Sequence, residues 1–187
     1  MTPHFTLPKG YREALCLDLQ NDRKLNRHIF CFSLVIIFTM GWYGNTVRPI
    51  ARYFRGNFDQ VAYMFLGTIL YMILHEMIHA VFMHLFSGVS AHLKTSGLLA
   101  LVRSEVYFDR TRYLIIALAP IVIWGIVLGI LCSRFQNTKW FWTFYFIEIM
   151  NISSAAPDLY MMAKLLKFPA DILVQDSGTT LNVYAKK

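Results

Sequence analysis

The sequence predicts an all-α membrane protein of four transmembrane helices, with a small β-hairpin-like cytosolic loop between helices two and three. Three observations lead there. Of 187 residues, 56% are hydrophobic and only 16% charged, against roughly 45–50% and about 25% in soluble domains. The apolar excess gathers into four stretches, each near the ~20 residues that carry a helix across the hydrocarbon core. The polar segments between them are short, so residues 1–187 read as a single membrane domain.

The elements follow in order. Residues 1–28 hold five cations and three acids, too polar for a signal peptide, and read as a structured or interfacial cytosolic segment. Residues 29–47 are uncharged throughout and form span one. After a short basic loop (Arg48, Arg52, Arg55), residues 61–86 are apolar except for one cluster of His and Glu, and form span two. Residues 87–112 are the longest internal polar stretch. Their turn signals at Gly88 and Ser96–Gly97, with the alternation from Leu101 to Phe108, predict the hairpin-like loop. Span three is 113–132, broken by Pro120, and span four is 140–166, opening on Trp140, Phe141 and Trp142 as an interfacial segment would. The tail holds turn residues at Asp176–Gly178 and a short β-like run.

Charge sets the orientation. Thirteen of the eighteen Lys and Arg fall in the N-terminus, the central loop and the C-terminal flank, and five in the two other loops, which predicts both termini in the cytosol. The net charge of +7 is thereby assigned to the flanks of a lipid bilayer, and no nucleic-acid partner is expected. Cys16, Cys31 and Cys132 are an odd set without a C-x-x-C pair, which indicates neither a disulfide framework nor a thiolate zinc site.

The chemistry sits in span two, at His75-Glu76-Met77-Ile78-His79. Two histidines four apart share one face of a helix, one turn apart, so both can bind one metal while the glutamate lies beside it. Three ionisable groups in five intramembrane residues, each costing roughly 2.5–3.5 kcal/mol near the bilayer centre, need a strong reason. Zinc fits this pattern, and a hydrolytic zinc site calls for a third protein ligand. Asp158 in span four is the candidate. Pro157 before it removes a backbone hydrogen bond and should open the helix near Ser153. His75 and His79 fall 14 and 18 residues after Val61, and Asp158 falls 18 after Trp140, so the three match in depth within a few ångströms. His84, nine residues after His75, turns to the opposite side, and His92 is in the loop. Glu148 is a further intramembrane acid about 80° from the Asp158 face, and its role stays open.

On these residues the chain resembles the site-2 protease group of intramembrane metalloproteases, where an H-E-x-x-H helix meets an Asp of a later transmembrane helix, often in an Asn...Pro-Asp-Gly context. More narrowly it resembles the small bacterial membrane proteins called "putative zincin peptidases", from Pro8-Lys-Gly-Tyr11 through the H-E-x-x-H run to Leu173-Val-Gln-Asp-Ser-Gly178. Leu159 departs from the larger group's glycine. The resemblance implies a zinc-dependent endopeptidase of the bacterial plasma membrane, acting on a membrane protein or peptide substrate near the cytosolic side. Zn²⁺ would be held by His75, His79 and Asp158, and Glu76 would be the general base. It also implies that Asn151, two turns before Asp158, holds a substrate backbone or the oxyanion; an interhelical hydrogen bond is the other reading of that residue. The competing function is a metal-binding membrane protein without peptidase activity. Glu76 discriminates, since mere binding has no need of a base between two ligands.

Overall fold

The computed structural model describes residues 5–55, 59–90, 92–96 and 99–186, with side chains outside 54 and 92–103. Its long helices coincide with the first three apolar stretches: α1 (Arg23–Val47), α3 (Asp59–Ser87) and α4 (Arg110–Arg134). Among the described residues these three are long and apolar enough to cross a membrane. Their outer faces suit lipid: Phe38, Trp42, Phe65, Leu85 and Ile126 are each at least 60% exposed, an arrangement that water would penalise along whole helices.

Local chemistry sets the ends. Asp22 caps α1 by accepting from the backbone N–H of Lys24 and Leu25, and Asp109 caps α4 through Arg112 N–H. Gly88, at φ +72°, closes α3 with its N–H on the His84 carbonyl, the left-handed stop that glycine permits without strain. A short α2 (Ile50–Phe54) lies between α1 and α3.

The fourth apolar stretch is not one helix. It is α5 (Phe141–Ser154) and α6 (Ala156–Leu165), parted at Ala155. Pro157 has no N–H for the Ser153 carbonyl four residues back. That carbonyl instead accepts from the Ala155 N–H and, at 2.8 Å, from the Ser33 hydroxyl of α1.

The segments flanking the helices form sheet. β1 (Tyr11–Asp18), β4 (Phe108–Asp109), β5 (Leu173–Asp176) and β6 (Thr180–Lys186) make one antiparallel sheet in the order β1-β6-β5-β4. Tyr11 pairs with Lys186 and Asp18 with Thr180 at its N-terminal edge, and Phe108 pairs with Val174 at the other. β2 (His92–Ser96) and β3 (Leu99–Arg103) pair with each other, His92 opposite Arg103. The expected hairpin-like loop therefore holds a two-stranded ladder, although Gly97 of its turn signal lies outside the described residues. Phe108, counted with that loop in the sequence, leaves it to pair with the tail. This pairing spans more than sixty residues and has no local signature.

The chain divides into two compact units, Met1–Arg27, Glu76–Pro120 and Pro157–Lys187 in one, His28–His75 and Ile121–Ala156 in the other. In the first, Val174, Val183, Leu181 and Phe108 of the sheet are almost fully buried, as are Ile116 and Leu165 of the helices. In the second, one cluster joins Tyr53, Met64, Phe141 and Trp142 and another joins Tyr71, Leu128 and Ile147. Gly44 lets α1 approach α5 closely there: a Cβ would collide with the Tyr145 ring, the use of small residues expected where helices pack in lipid.

Candidate metal centre

His75 and His79 are buried, at 7% and 8% exposure, one turn apart on α3. Each has its Nδ1 engaged. His79 Nδ1 lies 3.0 Å from the Ile116 carbonyl oxygen. A carbonyl only accepts, so the contact selects the tautomer protonated at Nδ1, with Nε2, the nitrogen that would ligate a metal, facing the Asp158 carboxylate. His75 Nδ1 lies 2.8 Å from the Tyr71 hydroxyl, which is 3.2 Å from Asn151 Oδ1 and 3.2 Å from the Ser154 hydroxyl. With Tyr71 donating to Asn151, its oxygen accepts from Nδ1–H of His75, and again Nε2 is left to ligate.

The Ile116 carbonyl is available because of Pro120. In a regular helix it would accept from the N–H four residues on; residue 120 is proline and has none. The break expected at Pro120 does not part α4, which runs from Arg110 to Arg134 as one helix; the proline instead leaves the Ile116 carbonyl as the acceptor beside His79.

Asp158 lies in the first turn of α6, half-buried, with Oδ2 3.7 Å from His79 Nε2. One ligand atom from each of His75, His79 and Asp158 lies within 4.8 Å of the others. His75 and His79 lie on one continuous helix, four residues apart. Two imidazole nitrogens and one carboxylate oxygen, with both imidazoles held in the ligating tautomer, suit Zn²⁺ with a fourth position left for water or substrate. Glu76 is half-buried on the same turn.

Asn151 is fully buried. Beyond Tyr71, its amide nitrogen reaches the Ile121 carbonyl at 3.3 Å and Glu148 Oε2 at 3.2 Å. Glu148 is thereby tied to Asn151. His84 is exposed near the end of α3, and His92 falls among residues whose side chains are not described.

Three further residues take parts beside the site that the sequence alone does not show. Tyr71 and Pro120 support the histidines; Tyr71 at i−4 from His75 was open to the same spacing argument that pairs the histidines. The third is Asp176 of β5, which accepts from the Tyr113 hydroxyl at 2.6 Å and from the Gly178 N–H at 2.7 Å. Burial pushes the Asp176 carboxyl above its ordinary value, the two hydrogen bonds oppose this, and Asp158 and His79 are near enough to act on its charge. Only the fold brings a tail residue to that place.

Residues 68–173, which contain His75, Glu76, His79 and Asp158, match the family described as "Putative zincin peptidase". An uncharacterised 24.7 kDa protein of Pyrococcus woesei is 30% identical over 150 residues, covering 75% of this chain and 63% of that protein. No solved structure matches.

Proposed function

Because this chain belongs to the "Putative zincin peptidase" family, we propose that it is a zinc-dependent endopeptidase working within the membrane on membrane-associated protein or peptide substrates. The observation that carries the reading is the grouping of His75, His79 and Asp158 ligand atoms within 4.8 Å, with both histidines on the long apolar helix α3. His75 and His79 would hold Zn²⁺ through Nε2 and Asp158 through a carboxylate oxygen. Zinc, when bound, brings the pKa of a water toward neutrality and polarises a carbonyl. Glu76 is assigned the general base: its carboxylate takes a proton from the attacking water and delivers it to the amine nitrogen as the peptide C–N bond breaks. Tyr71 and the Ile116 carbonyl keep the imidazoles turned toward the site throughout. Substrate must arrive extended, since a helix has its amides already paired. The outer edge of the β2–β3 ladder is the surface we assign to it, by strand addition.

We read α5 and α6 together as the fourth crossing. β1 precedes α1, β4 lies between α3 and α4, and β5 and β6 follow α6, yet all four belong to one sheet. A sheet cannot hydrogen-bond through a bilayer, so the chain must cross an even number of times before each of these strands. Helices of 14 and 10 residues at 1.5 Å each are long enough for the ~30 Å core. The cation asymmetry assigns the sheet side to the cytosol.

The test is Glu76→Gln in the detergent-purified full chain. It keeps volume and hydrogen bonding but cannot take the proton. Cleavage of a co-expressed membrane substrate should fall by ~10²–10⁴, with about one zinc per chain retained. His79→Ala should lose the metal itself. Undiminished cleavage in Glu76→Gln would overturn the enzyme reading and leave a non-enzymatic metal-binding protein in its place.

A further inference from the structure

A second site lies within the unit formed by His28–His75 and Ile121–Ala156, at the ends of the helices. A cavity of about 320 Å³ is lined there by Arg48, Arg52 and Lys139, with Gln136, Trp142 and Tyr53 among its other walls. The volume falls within the ~300–1,000 Å³ usual for small-ligand sites. Among the described residues, three cations face this space and no carboxylate lines it. Lys139 is drawn toward Asp59, 3.5 Å away. Among the described residues the Arg48 guanidinium bonds the neutral Asn137 side chain, and Arg52 is exposed. Two guanidiniums therefore share one cavity, and among the described residues neither is paired with a carboxylate.

The cavity is also held in shape. The Arg48 carbonyl accepts from Trp142 Nε1 at 3.1 Å, and its guanidinium meets the Asn137 side chain. Tyr53 is buried and bonded to Thr143 and Gln60. Guanidinium forks match the oxygens of a phosphate better than an isolated ammonium does.

Position narrows the ligand. Val47, the last residue of α1, lines the cavity, and Gln136 lies two residues beyond the end of α4. Both helices are long and apolar enough to be spans, so the cavity sits at headgroup level, with Trp142 and Tyr53 as the aromatic residues typical of that depth. We propose that this cavity binds a phosphate group, and that its source is the headgroup of an anionic phospholipid. A choline headgroup would bring a cation up to the arginines; phosphatidylglycerol brings none.

The experiment uses the full chain in phosphatidylcholine nanodiscs, titrated with short-chain phosphatidylglycerol, short-chain phosphatidylcholine or inorganic phosphate. Binding is read by native mass spectrometry and Trp fluorescence. Phosphatidylglycerol should bind at least ~10-fold tighter than phosphatidylcholine, and Arg48→Gln/Arg52→Gln should remove about that preference. Arg52→Gln alone, at an exposed position, should remove part of it without disturbing the fold; zinc content and circular dichroism check this. Lys186→Gln, on β6, should leave it intact. Equal binding of the two lipids, or a preference untouched by the double variant, would overturn the site. Inorganic phosphate binding as tightly as phosphatidylglycerol would overturn the lipid as its source.

Discussion

Two prolines release carbonyls that a regular helix would have used, and both carbonyls are taken up by other residues. Pro120 frees Ile116 for His79 and Pro157 frees Ser153 for Ser33. At the residue scale the metal centre is thus a matter of orientation as much as of ligand identity. Partners of this kind commonly carry 10–100-fold in metal affinity. Tyr71→Phe, which keeps the ring and deletes the hydroxyl at His75 Nδ1, should weaken zinc binding by about that factor in a chelator competition, with circular dichroism unchanged. Pro120→Ala should also weaken it, because the new N–H competes with His79 for the Ile116 carbonyl. Wild-type zinc affinity in both variants would show that neither contact orients a ligand.

At the element scale, the joint between α5 and α6 depends on a hydroxyl from α1. Ser33→Ala leaves the Ser153 carbonyl with one donor fewer and should cost about 0.5–1 kcal/mol, read as a lower midpoint in detergent unfolding. The turn between β1 and α1 has a pH-dependent counterpart. Asp18 accepts from the Asn21 side chain and from the backbone N–H groups of Asn21 and Gln20, and these bonds hold its carboxyl below the ordinary range. A carboxyl lowered in the folded state contributes stability above its unfolded pKa of about 3.9, and loses it as pH falls through the folded value. Wild type should therefore exceed Asp18→Ala in thermal midpoint at pH 7. The gap should close as pH drops below about 4; a gap constant down to pH 2 would assign the effect to something other than this charge.

At the scale of the whole molecule, the sheet reports on the membrane. Since β1 pairs with β6, Arg12→Cys and Lys186→Cys should label from the same side, and Asn137→Cys, between α4 and α5, from the opposite one. Labelling of Arg12→Cys and Lys186→Cys from different sides would leave α5 and α6 outside the count of crossings.

The membrane class, the three long helices and the His75-Glu76-x-x-His79 run were legible in the sequence, because each follows from composition or from spacing within one helix. The place of Asp158 near His79 was reachable as well, through matched depth and the proline before it. The supports were not. Tyr71 reaches Asn151 across 80 residues, His79 reaches a carbonyl that is available only where α4 lacks an N–H, and Asp176 of β5 meets Tyr113 across 63 residues. The four-stranded sheet was equally hidden, since β1 and β6 lie at opposite ends of the chain and a ladder's register is set by which strand arrives beside it. Local pattern encodes what a segment does with its own neighbours in sequence. The partners of its polar atoms are decided by tertiary structure, because a buried donor or acceptor must be met by whichever group the fold brings within about 3 Å.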